Sequence, residues 1–178
     1  MSRKKGVPSM KKKIRIIVAD PAGNITIFVD EPFPRSEYQK VASQLLAMPE
    51  LHGEQVAFIQ EAAACGRADG KMEMCGLEFC GNASRSFGLL LAKRSGLRGK
   101  GQVFVDISGC SEILTIAVDT ESCDTKVKMP NPREIKLLDL RAIFDNADFD
   151  PGKSVCREDL SAVRAVDFGG ILHVILKD

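Results

Sequence analysis

The chain has 178 residues, with 25 lysines and arginines against 24 acidic residues, 44% hydrophobic and 28% charged positions, and a net charge of +1. That length suits one domain, or a domain and part of another, and the balanced charge leaves no global field to hold nucleic acid or an anionic membrane. The longest apolar run, Phe87 to Ala92 around Gly88, is far short of a bilayer span, and the basic N-terminus reaches Asp20 too soon for a signal peptide. The expectation is a soluble, cytoplasmic protein with no membrane partner.

Residues 1–13 (MSRKKGVPSMKKK) are basic and show no apolar period, which reads as a flexible, solvated tail. From Ile14 the pattern is β. Ile14 to Ala19 and Ile25 to Val29 are β-branched runs separated by the turn residues Asp20-Pro21-Ala22-Gly23-Asn24. Pro32 and Pro34 break the chain. Ser36 then reads as the N-cap of a helix over Glu37 to Met48, with Tyr38, Val41, Leu45 and Leu46 at helical spacing. Val56 to Ile59 and Lys71 to Met74 read as short strands. A hairpin follows, with arms Val103 to Ile107 and Ile113 to Val118 on either side of Ser108-Gly109-Cys110-Ser111. Lys126 to Met129 is a further strand stopped by Pro130. The pattern then predicts a helix near Leu137 to Phe144 and a closing hairpin over Val166 to Leu176. That hairpin and the one over Val18 to Val29 share an order of strand, glycine turn and strand, too short a match to separate duplication from chance.

The segment after Cys80 differs. Phe87, Leu89, Leu90, Leu91 and Ala92 occupy nearly every side of a helix, which predicts a helix buried all round with strands wrapped about it. The expected fold class is α+β: a curled, mostly antiparallel sheet around a buried central helix.

The six cysteines, at 65, 75, 80, 110, 123 and 156, do not spell a disulfide framework in a chain long enough to build a core. Cys75 and Cys80 are wrongly spaced for a zinc knuckle, and the only histidines are His52 and His173, so no metal site is expected. Most of these thiols read as small buried hydrophobes. Cys80 stands where an irregular segment meets the N-terminus of the central helix. Unsatisfied N–H groups and the positive end of the helix dipole favour a thiolate there. Gly81 permits close backbone approach to a ligand, and the same N–H groups suit a carboxylate or phosphate. The residues alone fit equally a buried cysteine with Gly81-Asn82 simply starting the helix.

Phe79-Cys80-Gly81-Asn82-Ala83-Ser84-Arg85 resembles the first catalytic motif of the diaminopimelate epimerase-like superfamily of amino-acid racemases and epimerases. Other blocks resemble that family in order: Ala22-Gly23-Asn24-Ile25, Gly53-Glu54-Gln55-Val56, Ser108-Gly109, Val127-Lys128-Met129-Pro130 and Gly170-Ile171-Leu172-His173. The resemblance implies an isomerase without pyridoxal phosphate, metal or other cofactor. In it, one cysteine thiolate removes the α-proton of an amino acid while a second cysteine, as thiol, protonates the opposite face. It makes Cys80 one acid/base, with Gly81 and Asn82 on the α-carboxylate, Asn24 a polar substrate contact and His173 near the substrate amino end. For His173 a purely structural place in the hairpin is an equal reading.

Two departures from the family follow. The Asn-Ala-Asp-Gly-Ser-Glu stretch of diaminopimelate epimerases is shortened here to Met74-Cys75-Gly76-Leu77-Glu78, and Ile171 replaces the Asn of a Gly-Asn-Pro-His turn. Losing those amides disfavours a zwitterionic distal arm, so the expected substrate is another amino acid, histidine or a relative, rather than diaminopimelate. Further, no second Cys-Gly pair leads into an apolar helix. The organisation expected is a first half over 14–121 and the opening of a second, incomplete repeat over 122–178. The second cysteine would then come from a missing C-terminal half or from a homo-oligomeric partner. The alternatives are another isomerase of the superfamily, a hydroxyproline dehydratase, which needs a single cysteine base, and a non-catalytic half that retains the carboxylate cradle.

Overall fold

The computed structural model describes residues 13–62, 66–129, 131–139, 163–168 and 172–175. Nearly all of the basic tail, Cys65, Cys156 and the Gly170-Ile171 turn lie outside them. The elements are β1 (Ile16–Ala19), β2 (Thr26–Val29), α1 (Arg35–Leu46), a short 3-10 turn at Pro49–Leu51, β3 (Gln55–Gln60), β4 (Gly70–Met74), α2 (Gly81–Arg94), β5 (Lys100–Ile107), β6 (Leu114–Asp119), β7 (Thr125–Val127), β8 (Glu134–Leu138), β9 (Val163–Asp167) and β10 (Leu172–Ile175). The class is α+β. None of the helices among the described residues is long and apolar enough to cross a membrane.

Strands β1 to β7 form one sheet in chain order. Its pairs are antiparallel except β2–β3 and β4–β5, the two connections that carry α1 and α2. A parallel pair needs a crossover, and each helix supplies one. The two crossovers put their helices on opposite faces. In β2, Ile27 and Val29 join the core beneath α1, whereas Phe28 joins the core around α2. In β3, Val56 and Phe58 face α1 while Ala57 faces α2. Period-two alternation in two buried strands therefore serves two helices at once.

The helix α2 is wrapped as expected, with β4, β5, β6 and β7 packed against it. Phe87 is fully buried and stacks on Phe28 at 6.2 Å between ring centroids. Burying a side chain of that size stabilises by roughly 1.5–3 kcal/mol. Gly88 lets the helix approach β6 closely: a Cβ there would lie 2.8 Å from Ile116 Cγ2. The wrap is open along one stripe, where Leu89 and Leu90 line a groove with Ile17 of β1 and Thr125 of β7.

On the outer face, α1 packs Tyr38, Val41, Ala42 and Leu45 onto β2 and β3, with Tyr38 stacked flat on Phe58 at 3.8 Å. Glu73 of β4 is buried there. Arg35 holds its carboxylate through two hydrogen bonds, of 3.0 and 2.6 Å, and the Tyr38 hydroxyl donates a third at 2.8 Å. The Arg35 guanidinium keeps the Glu73 pKa below its ordinary value against the opposing effect of burial. Burial, then the bond to Glu73, raises that of Tyr38.

Two expectations are corrected. The first helix starts at Arg35 with Pro34 at the N-cap, so Ser36 lies in its first turn and does not cap it. A helix that starts two residues earlier brings Arg35 to Glu73. Leu137 and Leu138 belong to strand β8, not to a helix; of that helix's span, 140–144 lies outside the described residues. β8 pairs with β9, which pairs with β10, in a second, three-stranded antiparallel sheet that contains the expected closing hairpin.

Candidate active site

Cys80 is the N-cap of α2, with extended backbone (φ −132°, ψ 114°). Its sulfur accepts the Ala83 N–H at 3.4 Å, and its carbonyl accepts both the Ser84 N–H and the buried Ser84 hydroxyl, at 2.9 and 2.7 Å. The first turn is thus tied to residue 80 on three sides. The N–H groups of Gly81 and Asn82 have no partner among the described residues, as the helix start dictates.

The approach to Cys80 is fixed by the β5–β6 hairpin. The Ser108 hydroxyl donates to the Glu78 carbonyl at 2.9 Å and accepts the Met74 N–H at 2.8 Å, bracketing the loop from 74 to 79. Gly109, at φ +73°, lies directly against that loop. Behind the sulfur, the Cys80 thiol donates to Gln55 Oε1 at 3.2 Å, and Gln55 Nε2 donates to the hydroxyl of the fully buried Thr26 at 2.7 Å. Thr26 and Gln55 are register partners in the parallel β2–β3 pair, on the face turned to α2.

These residues open on a cavity of about 540 Å³ lined by Asn24, Gln55, Glu78, Phe79, Cys80, Gly81, Asn82, Arg85, Val127, Met129, Phe168 and His173. All five residues singled out from the sequence, Asn24, Cys80, Gly81, Asn82 and His173, therefore meet around one space, although 149 positions separate the first from the last. Polar groups come from the β1–β2 turn, β3 and the start of α2. The facing wall is Val127, Met129 and Phe168, with the exposed His173 set edge-on to Phe168 at 5.3 Å. Met129 packs closely on Gly81: a Cβ there would come within 2.9 Å of its Sδ and would displace the end of that side chain. Arg85, one turn into the helix, donates to Asn82 Oδ1 at 2.6 Å and adds a positive charge beside the free N–H groups. The arrangement sets a cysteine sulfur beside helix-start N–H groups that suit an anion, together with an apolar wall.

Gln55, Glu78, Arg85 and Met129 stand in the quoted segments without a role assigned from sequence, and Thr26 and Phe168 are not singled out there at all. Strand alternation would have found Gln55: if Val56 and Phe58 face one helix, Gln55 must face the other.

A family model described as the histidine racemase CntK N-terminal domain matches residues 13–178. The chain is 34% identical over 165 residues to a histidine racemase of Fusobacterium nucleatum subsp. nucleatum (strain ATCC 23726 / VPI 4351), covering 89% of this chain and 53% of that protein. A second histidine racemase of that subspecies (strain ATCC 25586) is 34% identical over 175 residues, or 93% of this chain and 56% of that protein. One from Staphylococcus aureus (strain Mu50 / ATCC 700699) is 35% identical over 117 residues, or 65% and 42%. The chain spans about half the length of the curated relatives it matches. With a curled sheet around a central helix, a cysteine at that helix's N-cap and a match over most of its length, the chain belongs to the histidine racemase N-terminal domain family, within the diaminopimelate epimerase-like racemases and epimerases.

Proposed function

We propose that this chain is the N-terminal half of a cofactor-independent amino-acid racemase whose substrate is histidine or a close relative, with Cys80 as one of two acid/bases. The observation that carries the reading is the Cys80 sulfur at the N-cap of α2, lining the cavity beside two unpartnered N–H groups. The substrate α-carboxylate lies on the Gly81 and Asn82 N–H groups, where the helix dipole and Arg85 favour negative charge. That grip holds the α-carbon near the sulfur, and a thiolate at Cys80 takes the α-proton. The charge left on the α-carbon delocalises into the carboxylate, where the same preorganised donors stabilise it. A thiol on the opposite face returns a proton, and the configuration inverts. That second group comes from the part of the relatives' length this chain does not cover, or from a partner copy.

The names of the relatives and the apolar wall of Val127, Met129 and Phe168 favour an imidazole side chain over a zwitterionic arm. Asn24 and His173 complete the polar contacts of the substrate. The test is α-deuterium uptake in D2O by the full product of the reading frame, across a panel of amino acids. Exchange with inversion, fastest for histidine, is expected. Exchange led by diaminopimelate would reject the substrate, and water loss from hydroxyproline would reassign the reaction.

A further inference from the structure

Cys80 must be stable in two protonation states if it both removes and returns a proton, and its neighbours have to serve each. As a thiol it donates to Gln55 Oε1, which leaves Nε2 to donate to Thr26 Oγ1. A thiolate has no proton to give, and a carbonyl oxygen at 3.2 Å would face it as a second acceptor. Gln55 carries both kinds of group on one flat amide. A half-turn about its last torsion presents Nε2–H to the sulfur and Oε1 to Thr26, whose hydroxyl then switches from acceptor to donor. Every polar atom of the chain from sulfur to amide to hydroxyl stays satisfied in both states, which matters because Thr26 is completely buried.

We propose that Gln55, backed by Thr26, is a positioning residue that matches the protonation state of Cys80 by reversing its amide, so that neither the thiol nor the thiolate leaves an unpaired group. Only a side chain with donor and acceptor at the same reach does this; glutamate, methionine and leucine do not. The other titratable groups lining the cavity are Glu78 from the preceding loop, Arg85 from α2 and His173 from β10; β3 and β7 bring none to it. None of the three hydrogen-bonds the sulfur, whose partners are Gln55 and the Ala83 N–H. The inference gives a residue behind the proposed acid/base its task and so rests on the racemase reading, but its test does not need turnover.

The experiment is the pH profile of Cys80 alkylation by iodoacetamide, followed by mass spectrometry of the Cys80 peptide, in the wild type, Gln55→Glu and Gln55→Met. Glutamate offers the sulfur only acceptors and a negative charge, so its alkylation midpoint rises by about one unit, a roughly tenfold slower reaction on the acid side. Methionine, which removes the donor without adding charge, raises it by less. In the wild type the side-chain amide ¹⁵N resonance of Gln55 titrates with the Cys80 midpoint, and in Cys80→Ala it is flat. Midpoints equal to wild type in both variants, or an amide resonance that ignores the Cys80 titration, would overturn the proposal. Failure of deuterium exchange with these shifts intact would instead reject the racemase reading alone.

Discussion

Gly109 touches the backbone of Phe79 so closely that a Cβ at 109 would lie 2.3 Å from the Phe79 amide nitrogen. With φ at +73°, position 109 also lies in a backbone region that side chains resist. Gly109→Ala therefore meets two penalties, and the atom in the way is main chain that leads directly into Cys80. The expected loss of stability is about 1–3 kcal/mol by denaturant unfolding. Alkylation of Cys80 should change with it, because the loop must shift. Wild-type stability and alkylation in this variant would contradict the bracketing role of the hairpin.

Cys80→Ser keeps a good N-cap, since a serine hydroxyl accepts the Ala83 N–H at least as well as sulfur does. Thermal unfolding of this variant should match the wild type. Under the proposed chemistry, α-proton exchange by the full reading-frame product falls by roughly 10²–10⁴-fold, the usual worth of a positioned acid/base. Equal exchange rates would remove Cys80 from the mechanism.

The carboxylate of Glu73 titrates lower in the fold than free in water, with the Arg35 hydrogen bond as the leading cause. A group depressed in this way adds stability that is complete above its ordinary value of 4.5 and is lost as pH falls through the lower folded value. Glu73→Gln should therefore unfold at a lower temperature than wild type at pH 7. The gap should narrow as the solution is acidified below that range. Parallel curves at all pH values would mean that the ion pair contributes nothing.

Gly88 and Ile116 form a close contact between α2 and β6. Gly88→Ala forces a methyl into Ile116 and should destabilise by about 1–3 kcal/mol in spite of alanine's better helix propensity. Ile116→Ala alone opens a cavity costing about 2–5 kcal/mol. Together the two changes partly fill each other's defect, so the double variant should be more stable than the sum of the singles implies, as equilibrium unfolding would measure.

Most strands of the large sheet were legible because they combine β-branched residues with turn chemistry at their ends, as at Asp20 to Asn24 between β1 and β2, although β4 (Gly70–Met74) has no β-branched residue. The central helix was legible because its apolar run from Phe87 to Ala92 is unusually dense, but it is not buried all round: Arg85, Ser86 and Lys93 lie with Leu89 and Leu90 along the open stripe. β8 was not. Ile135 and Leu137 are 61% and 73% exposed, so that strand is held by its ladder with β9 and shows no alternation of buried and exposed positions. The start of α1 was misplaced because Ser36 is the better intrinsic cap, while the ion pair of Arg35 with Glu73, 38 residues away, decides the register. Cys80, Gly81 and Asn82 stood out through a compact motif. Gln55 and Thr26 did not, since their part depends on register across a parallel strand pair joined by a helix.

The sequential order of the seven-stranded sheet has a kinetic consequence. Each strand's neighbour is the one made just before it, so no late-arriving segment must thread back between earlier ones. On the ribosome this order lets each strand be laid down on the edge of the one before it, beginning from the β1–β2 hairpin.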